Sequence, residues 1–336
     1  MKQRHSRFKY REQLAAICCV VFLSLLAGVT VTAQERAARD SQRSSQSESP
    51  RPNLVGNGQI IVNTDLVTLT VTVTDSRGRY IPGLTQKEFS ITDNKLPQEI
   101  TFFSDADSPV SVGVVFDVSG SMSGKKIEQA KEALSTFIQT SHPQDEYFLI
   151  AFSSQPELLL DSSRDGDAVI REFSVVEPHG STALYDATYL ALDRVAHGIH
   201  AKRAILIISD GQDNSSRYTF SQLRRAVMES DVSLYAIGIQ GGAGGVLAMH
   251  GGLLLEELVS VSGGRAFFPR NSSRMNEALE QIALELRHQY SIGYRPSNFI
   301  ADGKWRRVRV KVAPPPELNR VWVRSREGYS AVGPAH

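Results

Sequence analysis

The sequence predicts an α/β protein, with a doubly wound, mostly parallel six-stranded sheet covered by helices on both faces and a small β domain built from the segments that flank it. Apolar runs of strand length alternate with stretches of helical periodicity between residues 110 and 288, which is the pattern of a parallel sheet buried between helices. Strand-like segments before and after this region show the two-residue alternation of half-buried strands.

The six strand candidates of the central region are apolar and rich in β-branched residues. They cover residues 110–116, 146–152, 155–160, 204–209, 232–238 and 265–268. Helical spacing of apolar residues fills the gaps, at residues 125–140, 166–174, 183–197, 219–230, 252–262 and 273–288. The second and third strands are too close for a helical crossover, so they predict a hairpin with one antiparallel strand at an edge. The glycine-rich stretch 241–252 is interpreted as a flexible loop, because its spacing is not that of a dinucleotide site.

Polar side chains follow two of the buried strands and open one helix. The first strand ends in Asp117, which Ser119 and Ser121 follow at alternate positions; a Gly-led loop carries Thr182; and the strand 204–209 ends in Asp210. The carboxyl edge of an open α/β sheet is where ligands bind. Carboxylate and hydroxyl oxygens suit a hard cation such as Mg²⁺, although Ser and Asp also cap helices, so Asp-x-Ser-x-Ser alone leaves both interpretations open.

Together these stretches resemble the metal-ion-dependent adhesion site of von Willebrand factor type A domains, and the chain resembles the exported bacterial group called VWFA-related. All five residues of that site are matched: Asp117, Ser119, Ser121, Thr182 and Asp210. The resemblance implies one bound Mg²⁺ or Mn²⁺, contacted directly by the hydroxyls and largely through water by the carboxylates. It also implies an exposed coordination position that accepts a Glu or Asp carboxylate from a partner protein.

Two classes of function follow from this resemblance. One is an exported, metal-dependent module for protein binding or adhesion; the other is a structural scaffold or assembly factor whose metal site is internal or vestigial. Enzymatic activity is not expected. A hydrolase nucleophile elbow needs Gly where Asp117 stands, and a phosphatase of the aspartyl-phosphate type needs a second Asp where Ser119 stands.

Charge and cysteine content restrict the partners further. The chain has 37 basic and 36 acidic residues, so it lacks the electrostatic footprint of a nucleic-acid-binding protein. Its two cysteines, Cys18 and Cys19, both lie in an apolar N-terminal stretch. If that stretch is removed, the mature chain has neither a disulfide nor a thiolate nucleophile.

Residues 1–33 have the layout of a secretory signal, with a basic start, an apolar stretch over 14–29 and small residues at 31–33. Cleavage is favoured, and the alternative is an uncleaved membrane anchor, because the apolar stretch lies between the length of a signal and that of a span. The protein is therefore expected to be exported to the periplasm, the cell surface or the medium. Residues 34–57 are rich in Ser, Gln, Arg and Glu and predict a disordered linker.

The two flanking β segments, residues 58–108 and 289–330, are each too small to fold alone. We predict that they pair into one small β domain, into which the type A domain of residues 109–288 is inserted, and that residues 331–336 form a tail. Their strand candidates are residues 60–74, 89–92, 98–103, 290–294, 306–312 and 321–324. The alternating Arg and Lys residues near Arg306 are interpreted as a solvated strand face rather than as a site for an anionic polymer.

Overall fold

The computed structural model describes residues 66–239, 246–314 and 320–332. The signal and linker predictions, residues 1–33 and 34–57, lie outside the described residues, as do the first residues of the segment 58–108 and most of the tail. In the described ranges, no helix has the length and hydropathy needed to cross a membrane.

The described strands are short and the helices run for two to five turns. In chain order the strands are β1 (Val67–Thr74), β2 (Phe89–Asp93), β3 (Leu96–Gln98), β4 (Ile100–Ser104), β5 (Val110–Asp117), β6 (Glu146–Phe152), β7 (Pro156–Ser163), β8 (Lys202–Ser209), β9 (Ser233–Gly238), β10 (Arg265–Phe267), β11 (Tyr290–Tyr294), β12 (Trp305–Val312), β13 (Trp322–Arg324) and β14 (Gly328–Ser330). The helices are α1 (Lys125–Thr140), α2 (Gly166–Ser174), α3 (Leu184–Ala196), α4 (Phe220–Glu229), α5 (Val246–Val261) and α6 (Ser272–His288).

Six strands form the central sheet, in the order β10-β9-β8-β5-β6-β7. Neighbours are parallel except β6 and β7, which form the antiparallel hairpin at one edge. Helices α1, α2 and α6 cover one face, and α3, α4 and α5 cover the other. Every residue of β5 is buried, as expected of a central parallel strand between two helical layers. The predicted six-stranded α/β fold is confirmed.

Parallel pairing determines where the polar residues lie. The strands β5 and β8 are neighbours in register, with Phe116 opposite Ile208. Asp117 therefore ends β5 beside the point where Ser209 ends β8 and Asp210 follows. This is the carboxyl edge of the sheet, where ligands bind in open α/β folds.

The flanking segments form two further four-stranded sheets. Sheet A has the order β13-β1-β11-β4, and sheet B has the order β14-β12-β2-β3. In sheet A, β1 pairs with β11 from Val67↔Tyr294 to Val71↔Tyr290; in sheet B, β12 pairs with β2 from Val308↔Asp93 to Val312↔Phe89. Each sheet thus combines strands from before and after the central region. The exact domain limits stay predictions.

The sequence-based strand limits in these segments differ from the structure at two places. Residues 98–103, expected as one strand, are divided at Glu99, because β3 pairs with β2 in sheet B whereas β4 pairs with β11 in sheet A. The strand β14 was not expected, since three residues are too few to show alternation. Both features depend on pairing with distant parts of the chain.

A buried carboxylate links the two sheets of the β domain. The Asp93 side chain is buried, and its Oδ2 accepts hydrogen bonds from the hydroxyls of Tyr294 (3.0 Å) and Tyr329 (2.8 Å). Asp93 is in β2, Tyr294 in β11 and Tyr329 in β14. The contact therefore joins sheet A to sheet B through their interior.

Replacing Tyr294→Phe is expected to lower the free energy of unfolding by about 1.5 to 3 kcal/mol, because it removes a hydrogen bond to a buried carboxylate without opening a cavity. Urea unfolding measures the change. Tyr218→Phe, which alters a partly exposed tyrosine, is the control and should have little effect. An equal change in the two variants would show that the Tyr294–Asp93 contact does not stabilise the domain.

Candidate metal centre

Asp117 is the innermost residue of the candidate site. Its side chain is fully buried; Oδ1 accepts a hydrogen bond from the Ser119 main-chain N–H (2.8 Å) and Oδ2 accepts one from the Ser209 hydroxyl (2.6 Å). Burial raises the pKa of Asp117 above its ordinary value, and the nearby negative charge of Asp210 adds to the rise. No Lys, Arg or His among the described residues forms an ion pair with Asp117.

Ser119 and Ser121 present two hydroxyl oxygens side by side. Ser119 precedes a short 3₁₀ turn, Gly120–Met122, and Ser121 is the middle residue of that turn, which the buried side chain of Met122 anchors. Their Oγ atoms are 3.1 Å apart and form a hydrogen bond with each other. Adjacent ligands of an octahedral ion with bonds of about 2.1 Å are separated by about 3.0 Å, so this spacing fits two ligands of one Mg²⁺.

The loop that carries Thr182 is fastened to the turn after β5. The main-chain N–H of Gly120 donates to the Gly180 carbonyl (3.1 Å), and that of His179 donates to the Val118 carbonyl (2.8 Å). Gly180 has φ = 74°, a left-handed conformation that favours glycine. These bonds place the buried Thr182 next to the serine turn.

The same loop is fastened to the segment that follows β8. The Thr182 N–H donates to Oδ1 of Asn214 (2.9 Å), and the Asn214 N–H donates to the Thr182 carbonyl (3.0 Å). Asp213 is partly buried, and its Oδ2 accepts a hydrogen bond from the Tyr185 N–H (3.0 Å) at the start of α3. Asp210 and Thr182 are thereby held on two mutually bonded loops.

Asp210 is buried and its loop packs directly on α5. Its Oδ1 accepts the Gln212 N–H at 3.2 Å. A Cβ atom on Gly211 would lie 2.5 Å from the Gly251 carbonyl oxygen, and one on Gly251 would lie 2.8 Å from the Asp210 carbonyl oxygen. Of the predicted loop, residues 241–252, the part from Val246 on is wrong, because α5 begins at Val246; residues 241–245 lie outside the described residues. Gly251 is needed for the close contact of α5 with the Asp210 loop rather than for flexibility.

Sequence reasoning missed the two side chains that position this site. Ser209 holds the Asp117 carboxylate, and Asn214 holds the Thr182 loop. Ser209 could have been found from the sequence, because it is a polar residue at the end of the apolar run Ala204–Ile208. The role of Asn214 could not be predicted from local sequence, because its partner Thr182 lies 32 residues away.

The donor set consists of three neutral hydroxyls and two carboxylates on three connected loops. In the ranges that the structure describes, no group of three or more His, Cys, Asp or Glu side chains is placed to hold a metal ion. The candidate set at Asp117 is of another kind, because oxygen atoms are its only donors and three of its five side chains are neutral. Such ligands suit Mg²⁺ or Mn²⁺ rather than a softer metal.

Comparisons with known proteins found one matching family model and several similar proteins. Residues 112–212 match the family model of the von Willebrand factor type A domain. Among curated proteins, the inter alpha-trypsin inhibitor, heavy chain 4 of Mus musculus is 27% identical over 212 residues, which are 59% of this chain and 21% of that protein. An uncharacterized protein of Borreliella burgdorferi is 25% identical over 135 residues, covering 38% of this chain and 39% of its own. The chain thus spans well under two thirds of these relatives.

Solved structures with a similar fold include two bacterial proteins. One is the von Willebrand factor type A protein from Catenulispora acidiphila, with 15% identity, a TM-score of 0.47 and coverage of 77% of this chain and 75% of that one. The other is the vWF domain of a type V pili tip protein from Porphyromonas gingivalis, with 13% identity, a TM-score of 0.44 and coverage of 53% and 96%.

Proposed function

Because the chain contains a von Willebrand factor type A domain, we propose that it is an exported protein-binding module whose domain holds one Mg²⁺ or Mn²⁺. The ligands in this proposal are Asp117, Ser119, Ser121, Thr182 and Asp210. The observation that carries it is the pair of Ser119 and Ser121 hydroxyl oxygens, 3.1 Å apart, next to the buried and uncompensated Asp117 carboxylate.

In this proposal the carboxylates and the hydroxyls of the site have different roles. Asp117 and Asp210 supply negative charge, and the buried position of Asp117 makes a neighbouring cation favourable. The three hydroxyls supply neutral oxygens, so the bound ion would retain enough Lewis acidity to accept a Glu or Asp carboxylate of a partner protein. Ser121 is exposed to solvent and marks the side from which that carboxylate approaches. Binding in this proposal involves no chemical reaction.

A titration with Mn²⁺, followed by electron paramagnetic resonance, tests the metal site directly. Wild-type protein should bind one ion, and Thr182→Val should weaken its affinity by about tenfold or more, which corresponds to roughly 1.4 kcal/mol. Valine replaces the hydroxyl by a methyl group of similar size and leaves the main-chain bonds to Asn214 intact. Thr92→Val, in a strand of sheet B, is the matched control. The assignment fails if Thr182→Val binds Mn²⁺ as tightly as wild type does.

The partner is tested with immobilised protein and the secreted and surface proteins of the same organism. Wild type should retain a protein in Mg²⁺ and release it when the ion is chelated. Amidation of the carboxyl groups in the applied proteins should prevent retention, because the proposed ligand is a carboxylate. Retention that survives both amidation and chelation would contradict a metal-bridged contact.

A further inference from the structure

A cleft lies at the amino edge of the central sheet, opposite the carboxyl edge that carries the candidate metal centre. It has a volume of about 600 Å³ and is bounded by the amino ends of β8 and β9 and by sheet A. The strand β8 begins at Lys202, in this cleft, and ends at Ser209, beside Asp117. At about 3.3 Å per residue the two sites are roughly 25 Å apart. The cleft has the size of a small-molecule site and shares no residue with the candidate metal centre.

Basic groups outnumber acidic ones in the wall of this cleft. Its lining includes His200, Lys202, Arg203 and Arg326, against the single carboxylate of Asp231. Arg326 forms an ion pair with Asp231, and it also donates to the Thr68 carbonyl. Asp231 is thereby neutralised, which leaves the charges of Lys202 and Arg203 without a carboxylate in the cleft.

Arg203 is the strongest indication of a missing ligand. Its Nε is buried and has no hydrogen-bond partner among the described residues. Three other arginines in the described ranges have a buried Nε of this kind, but each pairs with a carboxylate through its guanidinium: Arg224, Arg324 and Arg326. Arg203 forms no ion pair with any residue in those ranges. Of these four arginines, Arg203 is therefore the one whose guanidinium charge no carboxylate compensates within the described residues.

Lys202 adds a second positive charge. Its side chain is only 7% exposed, and its Nζ donates to the main-chain carbonyl of Arg287 (3.0 Å), at the end of α6. Burial lowers the pKa of Lys202 to about 8, and the more distant charges of Asp107 and Asp145 offset this only in part. Asp107 itself pairs with Arg287. Lys202 and Arg203 are consecutive residues of β8, so their side chains leave opposite faces of the sheet. Lys202 therefore adds positive charge near the cleft, whereas Arg203 is the group that an anion in the cleft would compensate.

The rest of the wall suits the remainder of such a ligand. Hydroxyl side chains of sheet A line one side: Thr68, Thr70, Ser104 and Ser291. Phe102, which is 48% exposed, presents an aromatic ring on the same side. The cleft therefore combines a charged end with hydroxyl donors and one apolar surface.

We infer that this cleft binds a small molecule bearing a carboxylate or a phosphate, with the guanidinium of Arg203 as its main contact and Lys202 as a second source of positive charge. A guanidinium binds either group through two parallel N–H···O bonds. The hydroxyls of sheet A supply further hydrogen bonds to the ligand.

Isothermal titration calorimetry tests the inference with inorganic phosphate, benzoate and the neutral analogue benzamide. The protein is first freed of divalent ions on a chelating resin, so that no anion binds through a metal. Wild type should bind at least one of the two anions saturably and should not bind benzamide. Preference for phosphate or for benzoate identifies the kind of oxyanion, and either preference supports the inference.

Variants locate the binding in the cleft. Arg203→Gln should weaken anion binding by about tenfold or more, and Arg203→Lys should have an intermediate effect. Arg225→Gln, which alters an exposed arginine of α4, should bind as wild type does, and so should Asp117→Asn, which separates this site from the proposed metal centre. Thermal melts confirm that each variant is folded. The inference is overturned if wild type binds neither anion, or if Arg203→Gln binds as tightly as wild type.

Discussion

Asp117→Asn is expected to abolish the gain in thermal stability that millimolar Mg²⁺ or Mn²⁺ gives the wild-type protein. A ligand that binds only the folded state, at about a hundred times its dissociation constant, adds roughly 2.7 kcal/mol to the free energy of unfolding, or several degrees in Tm for a domain of this size. Asparagine keeps the shape of the side chain and its hydrogen-bond acceptor for Ser119 or Ser209. It lacks the negative charge that the ion needs. Differential scanning calorimetry with and without the ion measures the shift.

The metal-free melts separate loss of the site from loss of the fold. Without the ion, Asp117→Asn removes a buried carboxylate that no cation compensates, so its Tm should equal or exceed that of wild type. Asp193→Asn changes an exposed carboxylate of α3 and should keep the full metal shift. A shift that persists in Asp117→Asn would show that the ion binds elsewhere. A wild type without any shift would favour the scaffold function, with an internal or vestigial site.

The central sheet is predictable from the sequence because buried parallel strands carry a continuous signal. All eight residues of β5 are buried and all but one of β8. The sequence is almost uninterruptedly apolar from Val110 to Phe116 and fully apolar from Ala204 to Ile208. The polar residues that end these runs, Asp117 and Asp210, are then placed at one edge by the parallel topology alone. The positions of these two candidate ligands in the fold thus follow from local sequence.

Features that depend on distant contacts are not predictable in this way. Helix propensity disfavours Gly251 inside a helix, yet α5 includes it, because a side chain there would collide with the Asp210 loop. The hydrogen bonds from Ser209 to Asp117 and from Thr182 to Asn214 join residues 92 and 32 positions apart. Local patterns carry no information about such pairs, although these pairs determine the geometry of the site.

Glu285→Ala is expected to lower the free energy of unfolding by about 3 kcal/mol, because it leaves the charge of Arg324 without its partner. Glu285 is fully buried in α6, and its Oε2 lies 2.6 Å from Nη2 of Arg324 in β13. Its Oε1 accepts a hydrogen bond from Gln281 (3.2 Å), one turn earlier in the helix. Arg324 is 21% exposed, so water compensates part of its charge, which places the cost at the lower end for a broken buried pair. Urea unfolding measures the change.

Two further variants identify the cause of this loss. Glu280→Ala removes an exposed carboxylate from the same helix and should change the free energy of unfolding by less than about 0.5 kcal/mol. Combining Glu285→Met with Arg324→Met removes both charges, and it should recover most of the stability lost in Glu285→Ala, since the cost comes from the unpaired cation. If the double variant is as unstable as Glu285→Ala, the lost contacts of the Glu285 carboxylate rather than the unpaired charge of Arg324 account for the change. If Glu285→Ala is as stable as Glu280→Ala, the ion pair does not couple the central domain to the β domain.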